Sequence, residues 1–98
     1  MLLYIRGMIK TFRHKGLKEL FEQGATSRID RQFHRRLIER LDVLNRAASL
    51  QALSLPGYNV HPLRGKPMRY SLWVSGAWRM TFEWDNGDTY RVDFEQYH

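Results

Sequence analysis

Residues 69–94 read RYSLWVSGAWRMTFEWDNGDTYRVDF, and this stretch decides the fold. Within it, residues 69–74, 78–84 and 88–94 alternate between apolar and polar side chains, which is the period of half-buried β-strands. Short turn-forming pairs separate these segments, as is typical of hairpins. The sequence therefore predicts an antiparallel sheet built from consecutive hairpins.

The side chains predict the length of the two turns. A two-residue turn would place the apolar residues of adjoining strands on opposite faces, because a shift of one residue turns a strand over. Three-residue loops at 75–77 and 85–87 place them on one face instead. Under this register Met80 opposes Leu72 on one side and Val92 on the other, and Phe82 opposes Tyr90.

The other face of this sheet is predicted to be polar. Arg69 and Glu83, and likewise Arg79 and Asp93, are expected to form cross-strand ion pairs. Trp73 is the exception, because a large apolar side chain is seldom left on a solvated face; it covers a nucleobase or is itself covered by a loop. The whole face comprises Arg69, Ser71, Trp73, Arg79, Thr81, Glu83, Arg91, Asp93, Glu95 and, by alternation, Tyr97.

Two amphipathic helices are predicted before the strands. The first covers residues 16–23 and ends at Gly24, a natural C-cap. Ser27, with Asp30 three residues later, indicates the start of a second helix of about four turns. Its apolar face comprises Ile29, Phe33, Leu37, Ile38, Leu41, Leu44 and Ala48, and its charged face Arg31, Arg35, Glu39, Arg40, Asp42 and Arg46.

Shorter elements complete the predicted order. Residues 9–13 and 58–61 are candidate short strands, and residues 50–55 a further turn. The sequence thus predicts an α+β fold, a small twisted, mainly antiparallel sheet with two N-terminal helices packed on one face. Its 98 residues suit one domain, and residues 1–7 are interpreted as an N-terminal extension because Met8 offers a second start.

Composition excludes several kinds of site. Without cysteine, disulfides, Cys-ligated zinc and thiol nucleophiles are ruled out. The four histidines, His14, His34, His61 and His98, are widely separated, so we expect no metal site and no cofactor. No run approaches the ~20 apolar residues of a membrane span. The expected location is therefore the cytoplasm, without a membrane contact.

The charge balance favours a nucleic-acid partner. The formal net charge is +6, and 12 of the 16 basic residues are arginine. Arginine presents a planar fork of donors that suits phosphate. A merely basic soluble domain remains the alternative reading of the same numbers.

The last two residues could supply acid–base chemistry. Tyr97 is expected near Arg79, and in the chain as given the carboxylate of His98 would favour its imidazolium form. An acid, a phenol and a guanidinium could together cleave RNA, in which a 2′-hydroxyl attacks the neighbouring phosphate. The alternative is a frayed dipeptide without a role.

Several short motifs become specific when their order and spacing are taken together. They are Met8-Ile9-Lys10-Thr11-Phe12, His14-Lys15-Gly16-Leu17, His61-Pro62-Leu63-Arg64-Gly65, Trp78-Arg79-Met80-Thr81-Phe82, Asn86-Gly87-Asp88 and Tyr97-His98. Over residues 8–98 the chain thereby resembles the HigB-type toxins of the RelE/ParE superfamily. The resemblance implies a RelE-like fold and the toxin of a type II toxin–antitoxin system.

The resemblance also implies an activity and partners. HigB-type toxins are ribosome-dependent mRNA endonucleases that cut in the A site, here by metal-independent acid/base catalysis. The implied partners are the ribosome and a HigA-like helix-turn-helix antitoxin, through which alone the toxin would meet operator DNA.

Site residues follow from the matching motifs. Arg79 matches the arginine that stabilises the scissile phosphate, and Tyr97 and His98 match the pair that orients substrate and transfers protons. His61 and Arg64 match a phosphate-binding segment, to which the polar face adds Trp73. Arg64 replaces a usual lysine, Gln96 a usual acid, and Ser75 and Gly76 a common basic residue; these departures predict mild potency.

Two questions remain open at this level. The chain could instead be a ParE-like toxin that binds DNA gyrase without cleaving RNA, or a non-enzymatic module that binds RNA or the ribosome. The second helix is either a solvated face, with pairs such as Arg35–Glu39, or a footprint on ribosomal RNA. That footprint would comprise Arg31, Arg35, Arg36, Arg40 and Arg46.

Overall fold

The computed structural model describes residues 8–97 as two α-helices followed by an antiparallel sheet, which confirms the predicted α+β fold. The four strands of the sheet lie side by side in the order in which they follow one another along the chain. Residues 1–7 and His98 lie outside the described residues, as do the predictions made for them. Within residues 8–97, no helix has the length and apolar character needed to cross a membrane. The elements are α1 (Lys15–Gln23), α2 (His34–Arg46), β1 (His61–Leu63), β2 (Arg69–Ser75), β3 (Trp78–Asp85) and β4 (Asp88–Gln96), with 3-10 turns at Arg31–Phe33 and Leu50–Leu53.

Helix α1 forms where it was predicted. At its start, Nδ1 of His14 accepts a hydrogen bond from the backbone N–H of Leu17 at 3.3 Å. At its end, Gly24 adopts a left-handed φ of 79° and donates its N–H to Leu20. Both ends of the helix therefore have partners for backbone groups that would otherwise be unpaired.

Helix α2 begins later than predicted. Asp30, expected to support a cap at Ser27, is itself the cap: its carboxylate accepts from Gln32 N–H at 3.0 Å and starts the 3-10 turn. Ile29 is buried but precedes the helix. The buried stripe of α2 comprises Leu37, Arg40, Leu41 and Leu44.

The position of this stripe corrects three other predictions. Ile38 is 40 % exposed, and Ala48 is exposed and follows the helix rather than lying on its apolar face. Arg40, predicted on the exposed charged face, is only 5 % exposed. The stripe is thus rotated relative to the predicted one, because Arg40 has partners inside the fold that hydrophobic spacing does not reveal.

The core lies between the helices and one face of the sheet. Leu17, Leu37 and Leu41 from the helices share it with Met80 and Phe82 of β3. Phe33 packs against Trp78 and Phe94, whose rings stack with centroids 4.6 Å apart. This face is the apolar one that alternation predicted.

Both turns are two residues long, not three. Ser75 pairs with Trp78, and Asp85 pairs with Asp88. Asn86 and Gly87 both have positive φ, 50° and 87°, which is the type I′ geometry of the tightest hairpins.

Bulges, rather than longer loops, bring the apolar residues onto one face. In β4 two residues, Arg91 with a φ of 48° and Val92, lie opposite the single residue Phe82, and in β2 the extra residue is Val74 itself. As predicted, Met80 opposes Leu72. On its other side it opposes Phe94 rather than Val92.

The corrected register changes the cross-strand pairs of the polar face. Tyr90 opposes Glu83 and so shares its polar face, not the face of Phe82. Arg79 opposes Glu95, so the predicted Arg79–Asp93 ion pair is wrong. Asp93 instead lies 3.8 Å from the guanidinium of Arg13. The predicted Arg69–Glu83 pair is confirmed, with an N–O distance of 2.9 Å.

Two short segments border the sheet. Residues 9–12 form isolated parallel bridges to β4, Ile9 with Thr89 and Phe12 with Val92, rather than a continuous strand. Strand β1 covers residues 61–63 instead of 58–61 and pairs only with residues 69–71 of β2.

Beyond β1, the free edge of β2 is closed by other groups. The Trp73 N–H donates to the Tyr58 carbonyl at 2.8 Å. Arg40 Nε donates to the Trp73 carbonyl at 2.8 Å, and an Arg36 amine donates to the Val74 carbonyl at 3.0 Å. Two arginines of α2 therefore complete the backbone hydrogen bonding of the strand that β1 leaves unpaired.

Candidate active site

One end of the polar face is filled by an ion-pair network. Arg69 donates to Glu83 at 2.9 Å, to the Thr81 hydroxyl at 3.0 Å and to the Arg91 carbonyl at 2.9 Å. Arg91 in turn donates to Glu83 at 2.8 Å. Burial and the nearby Arg13 lower the pKa of Arg69, and Glu83 opposes that shift. The charged groups at this end form hydrogen bonds and ion pairs with one another, and we therefore assign them a structural role in linking the strands.

The other end of the polar face carries Arg79 and Tyr97, which lie together as the sequence predicted. The guanidinium carbon of Arg79 is 4.5 Å from the centre of the Tyr97 ring. A hydrogen bond from Tyr97 N–H to the Ala77 carbonyl, 2.8 Å long, holds the tyrosine backbone. The Tyr97 side chain remains 37 % exposed.

The Nε atom of Arg79 is the chemically distinctive group here. It is buried, and among residues 8–97 it has no hydrogen-bond partner. Within that part of the chain, no carboxylate lies within ion-pairing distance of Arg79. A guanidinium whose donors are not consumed by the fold is suited to bind an anion.

Trp73 lies beside this pair. It opposes Arg79 in the register, and its indole N–H donates to the Gly76 carbonyl at 2.9 Å. The guanidinium of Arg36 from α2 lies 5.6 Å from its ring centre. Trp73 is therefore partly covered by a helix side chain rather than by a loop.

Sequence reasoning missed the pairing of Glu95 with this site. Alternation placed Glu95 on the polar face, but the predicted register put Asp93 opposite Arg79. The bulge next to Arg91 moves Glu95 into that position. The buried Thr81 hydroxyl donates to the Glu95 carboxylate. No signal in the sequence marks the bulge, because an arginine is not a usual left-handed residue.

His61 and Arg64 lie farther away. His61 is half-buried in β1, opposite Ser71, and its Nδ1 is 3.0 Å from the Asn59 carbonyl. Two strand spacings separate β1 from β3, so His61 lies about 10 Å across the sheet from the strand of Arg79. Arg64 is exposed in the loop after β1. The structure thus brings Arg79, Tyr97 and Trp73 together, and His61 and Arg64 flank them at a distance.

No metal-binding constellation was predicted. In the part of the chain that the structure describes, no group of three or more His, Asp or Glu side chains is placed to hold a metal ion.

The arginines of the α2 region have different surroundings. Arg31, Arg35, Arg36 and Arg46 are exposed, whereas Arg40 is buried and bonded to the strand edge. Arg46 pairs with Asp42 at 3.2 Å. The expected Arg35–Glu39 pair is replaced by Glu39 lying 3.6 Å from Arg40. Arg40 therefore cannot belong to a surface footprint on RNA.

Comparison with known proteins identifies the class. Residues 10–98 match the family model of the "RelE-like toxin of type II toxin-antitoxin system HigB". A curated relative, Endoribonuclease HigB of Proteus vulgaris, is 44 % identical over 92 residues, which cover 93 % of this chain and 100 % of the relative. The fold, the polar face and these matches define a RelE-like toxin of a type II toxin–antitoxin system. Within that class, the chain belongs to the HigB-like toxins.

Proposed function

We propose that this chain is an endoribonuclease that cuts mRNA in the ribosomal A site by acid/base catalysis without a metal ion. The observation that carries the proposal is the stacking of Arg79 on Tyr97 at 4.5 Å, with the Arg79 Nε group unpaired within residues 8–97. The name of the Proteus relative supports RNA cleavage over gyrase binding or passive RNA binding.

The reaction has defined chemical needs. A 2′-hydroxyl gives up its proton, and its oxygen attacks the adjacent phosphorus. The bond from phosphorus to the 5′-oxygen breaks, and that oxygen takes up a proton, leaving a 2′,3′-cyclic phosphate and a 5′-hydroxyl. The enzyme must supply a proton acceptor, a proton donor and positive charge for the phosphorane.

Arg79 supplies the charge. Glu95 lies opposite Arg79 in the register, and its carboxylate accepts a hydrogen bond from the Thr81 hydroxyl. The guanidinium lies over the Tyr97 ring, 4.5 Å from its centre, and this contact helps to position the charge. A donor fixed in this way stabilises developing charge without reorganising during the reaction.

Tyr97 and His98 supply the two proton-transfer groups. The Tyr97 side chain is open to solvent and lies against the arginine that would bind the phosphate. His98 follows it directly in the chain. His61 and Arg64, farther across the sheet, would hold phosphates that flank the cleaved one.

The expected potency and partners follow from the same comparison of motifs. Gln96 and Ser75 supply no charge, and Arg64 cannot exchange a proton near neutral pH, so the toxin should be mild. Its antitoxin should be a HigA-like helix-turn-helix protein that carries the operator contact. Its place of action is the ribosome, in the cytoplasm.

A defined translation system with primer extension tests the proposal. Wild-type protein should produce cuts inside translated codons, and none when ribosomes are omitted. His98→Ala and Arg79→Ala should abolish these cuts. Lys18→Gln, which removes one exposed charge on α1, should keep them. No cuts by the wild type, or cuts that persist in both site variants, would refute the proposal.

A further inference from the structure

A cleft of about 630 Å³ lies between the start of α2 and the end of β2. Phe33, Arg35 and Arg36 line it from the helical side, and Trp73 and Ser75 from the strand. Trp73 opposes Arg79, so the cleft borders the candidate active site. A strand of RNA bound at Arg79 would meet this cleft at the edge of the sheet.

The arginines of the cleft have donors to spare. Arg35 is exposed, and among residues 8–97 no carboxylate lies within 4.0 Å of it. Arg36 gives one N–H to the Val74 carbonyl, which orients its fork, and among the described residues its other donors have no partner. The acidic residue that lines the cleft, Glu39, forms an ion pair with Arg40 and accepts a hydrogen bond from the Tyr58 hydroxyl. The cleft is therefore positively charged toward a ligand.

Trp73 gives this cleft an apolar wall. Its indole N–H is consumed by the Gly76 carbonyl, so the ring presents carbon rather than a polar atom. Together with the guanidinium of Arg36 at 5.6 Å, it forms a surface that is both aromatic and cationic. Aromatic rings beside arginines are how proteins hold single-stranded RNA, with the ring against the nucleoside and the cation on the phosphate.

We propose that this cleft is a subsite for the mRNA nucleotide next to the cleaved one. Arg35 and Arg36 bind its phosphate, and Trp73 packs against its base or ribose. The inference rests on the proposed function, and it adds to that function the place where the mRNA runs on from the cleaved nucleotide. It gives Arg35 and Arg36 a role on mRNA rather than on ribosomal RNA.

The test measures affinity for ribosomes in two states. In one state the A site is empty, and in the other it holds an mRNA codon with 2′-O-methyl groups, which cannot be cleaved. Arg35→Gln and Trp73→Leu should weaken binding to the codon-loaded ribosome about tenfold, the size expected for one stacked nucleotide. Binding to the empty A site should stay unchanged. Lys18→Gln should change neither affinity.

Other outcomes overturn the subsite. Equal losses in both states would place Arg35 and Trp73 on ribosomal RNA, and no loss in either state would leave the cleft without RNA. Arg35→Gln keeps the test decisive if Trp73→Leu fails to fold, because Arg35 is exposed. The proposed function fails separately, when wild-type protein makes no cuts in the translation assay.

Discussion

Arg40 and Trp73 are joined across the interior by a hydrogen bond from the Nε atom of the arginine to the carbonyl oxygen of the tryptophan, 2.8 Å long. The same guanidinium lies 4.4 Å from the Tyr58 ring centre and 3.6 Å from Glu39. Burial lowers the pKa of Arg40, whereas Tyr58 and Glu39 oppose that shift. Burial also raises the pKa of Tyr58. The arginine is thus a structural part of the fold.

Arg40→Met should therefore destabilise the protein. Methionine fills similar space but leaves the Trp73 carbonyl without its donor, which costs about 2–3 kcal/mol. Urea unfolding measures the difference. The exposed Arg35→Met should stay within about 0.5 kcal/mol of the wild type. Equal effects of the two substitutions would contradict a structural role for Arg40.

Arg79→Lys should slow RNA cleavage by about a hundredfold or more, although the charge remains. Lysine offers a point charge and loses the planar fork that stacks on Tyr97. Single-turnover cleavage on programmed ribosomes measures the rate. The Lys18→Gln protein serves as the control, and an Arg79→Lys rate near that of the wild type would show that geometry is unimportant here.

Tyr97→Phe separates stacking from proton transfer. Phenylalanine keeps the ring against Arg79 but removes the hydroxyl, so the rate should still fall by about a hundredfold if the phenol transfers a proton. The cleavage rate of Tyr97→Ala should be lower still, because this substitution also removes the ring that stacks on Arg79. If Tyr97→Phe cleaves at the wild-type rate, the tyrosine only positions Arg79.

Acid should weaken one contact between α1 and the following loop. The Thr26 hydroxyl donates to Glu19 at 2.6 Å and, with Arg28, holds the pKa of that carboxyl below its ordinary value of 4.5. A lowered pKa stabilises the fold above about pH 4.5, and this contribution is lost as the pH falls through the folded pKa.

The free energy of unfolding, measured from pH 7 downward, tests this linkage. The stability advantage of wild type over Glu19→Gln should be full near neutral pH and should vanish in acid. Thr26→Ala removes the largest cause of the shift and should flatten the acid dependence in the same range. Parallel pH curves for all three proteins would rule the linkage out.

Gly16→Ala should destabilise the protein, although alanine favours helices. An added Cβ would lie 2.9 Å from Cε1 of His14 and 3.0 Å from side-chain carbons of Arg28 and Ile29. Such crowding costs about 1–3 kcal/mol, which exceeds the ~1 kcal/mol gain in helix propensity. Thermal unfolding of the wild type and of Gly16→Ala measures the net change in stability. Gln23→Ala, exposed on the same helix, should leave the melting temperature nearly unchanged, and a higher melting temperature for Gly16→Ala would contradict the close packing.

The sequence predicted the layers of the fold better than the register. Alternation reports only which residues share a face, and either a three-residue loop or a bulge next to Arg91 satisfies it. Met80 therefore reached the predicted face while opposing Phe94 instead of Val92. The position of Glu95 opposite Arg79 could not be predicted for the same reason.

The candidate site was predicted in part. Arg79 and Tyr97 are close together as predicted, although the predicted register was wrong. Tyr97 lies opposite Ala77 rather than Ser75, and from there its ring still contacts the arginine. The burial of Arg40 was not predictable, because helical spacing treats every arginine as solvated. Only the tertiary structure reveals carbonyl groups that need its donors.

The arginines at the edge of β2 also bear on solubility. Strand edges with unpaired backbone groups are templates on which a second chain can add a strand and begin an aggregate. Here Arg36 and Arg40 occupy the carbonyls of Val74 and Trp73 from within the same molecule. A second copy would find these two carbonyl groups already hydrogen-bonded, which disfavours the addition of its own strand along this stretch of the edge.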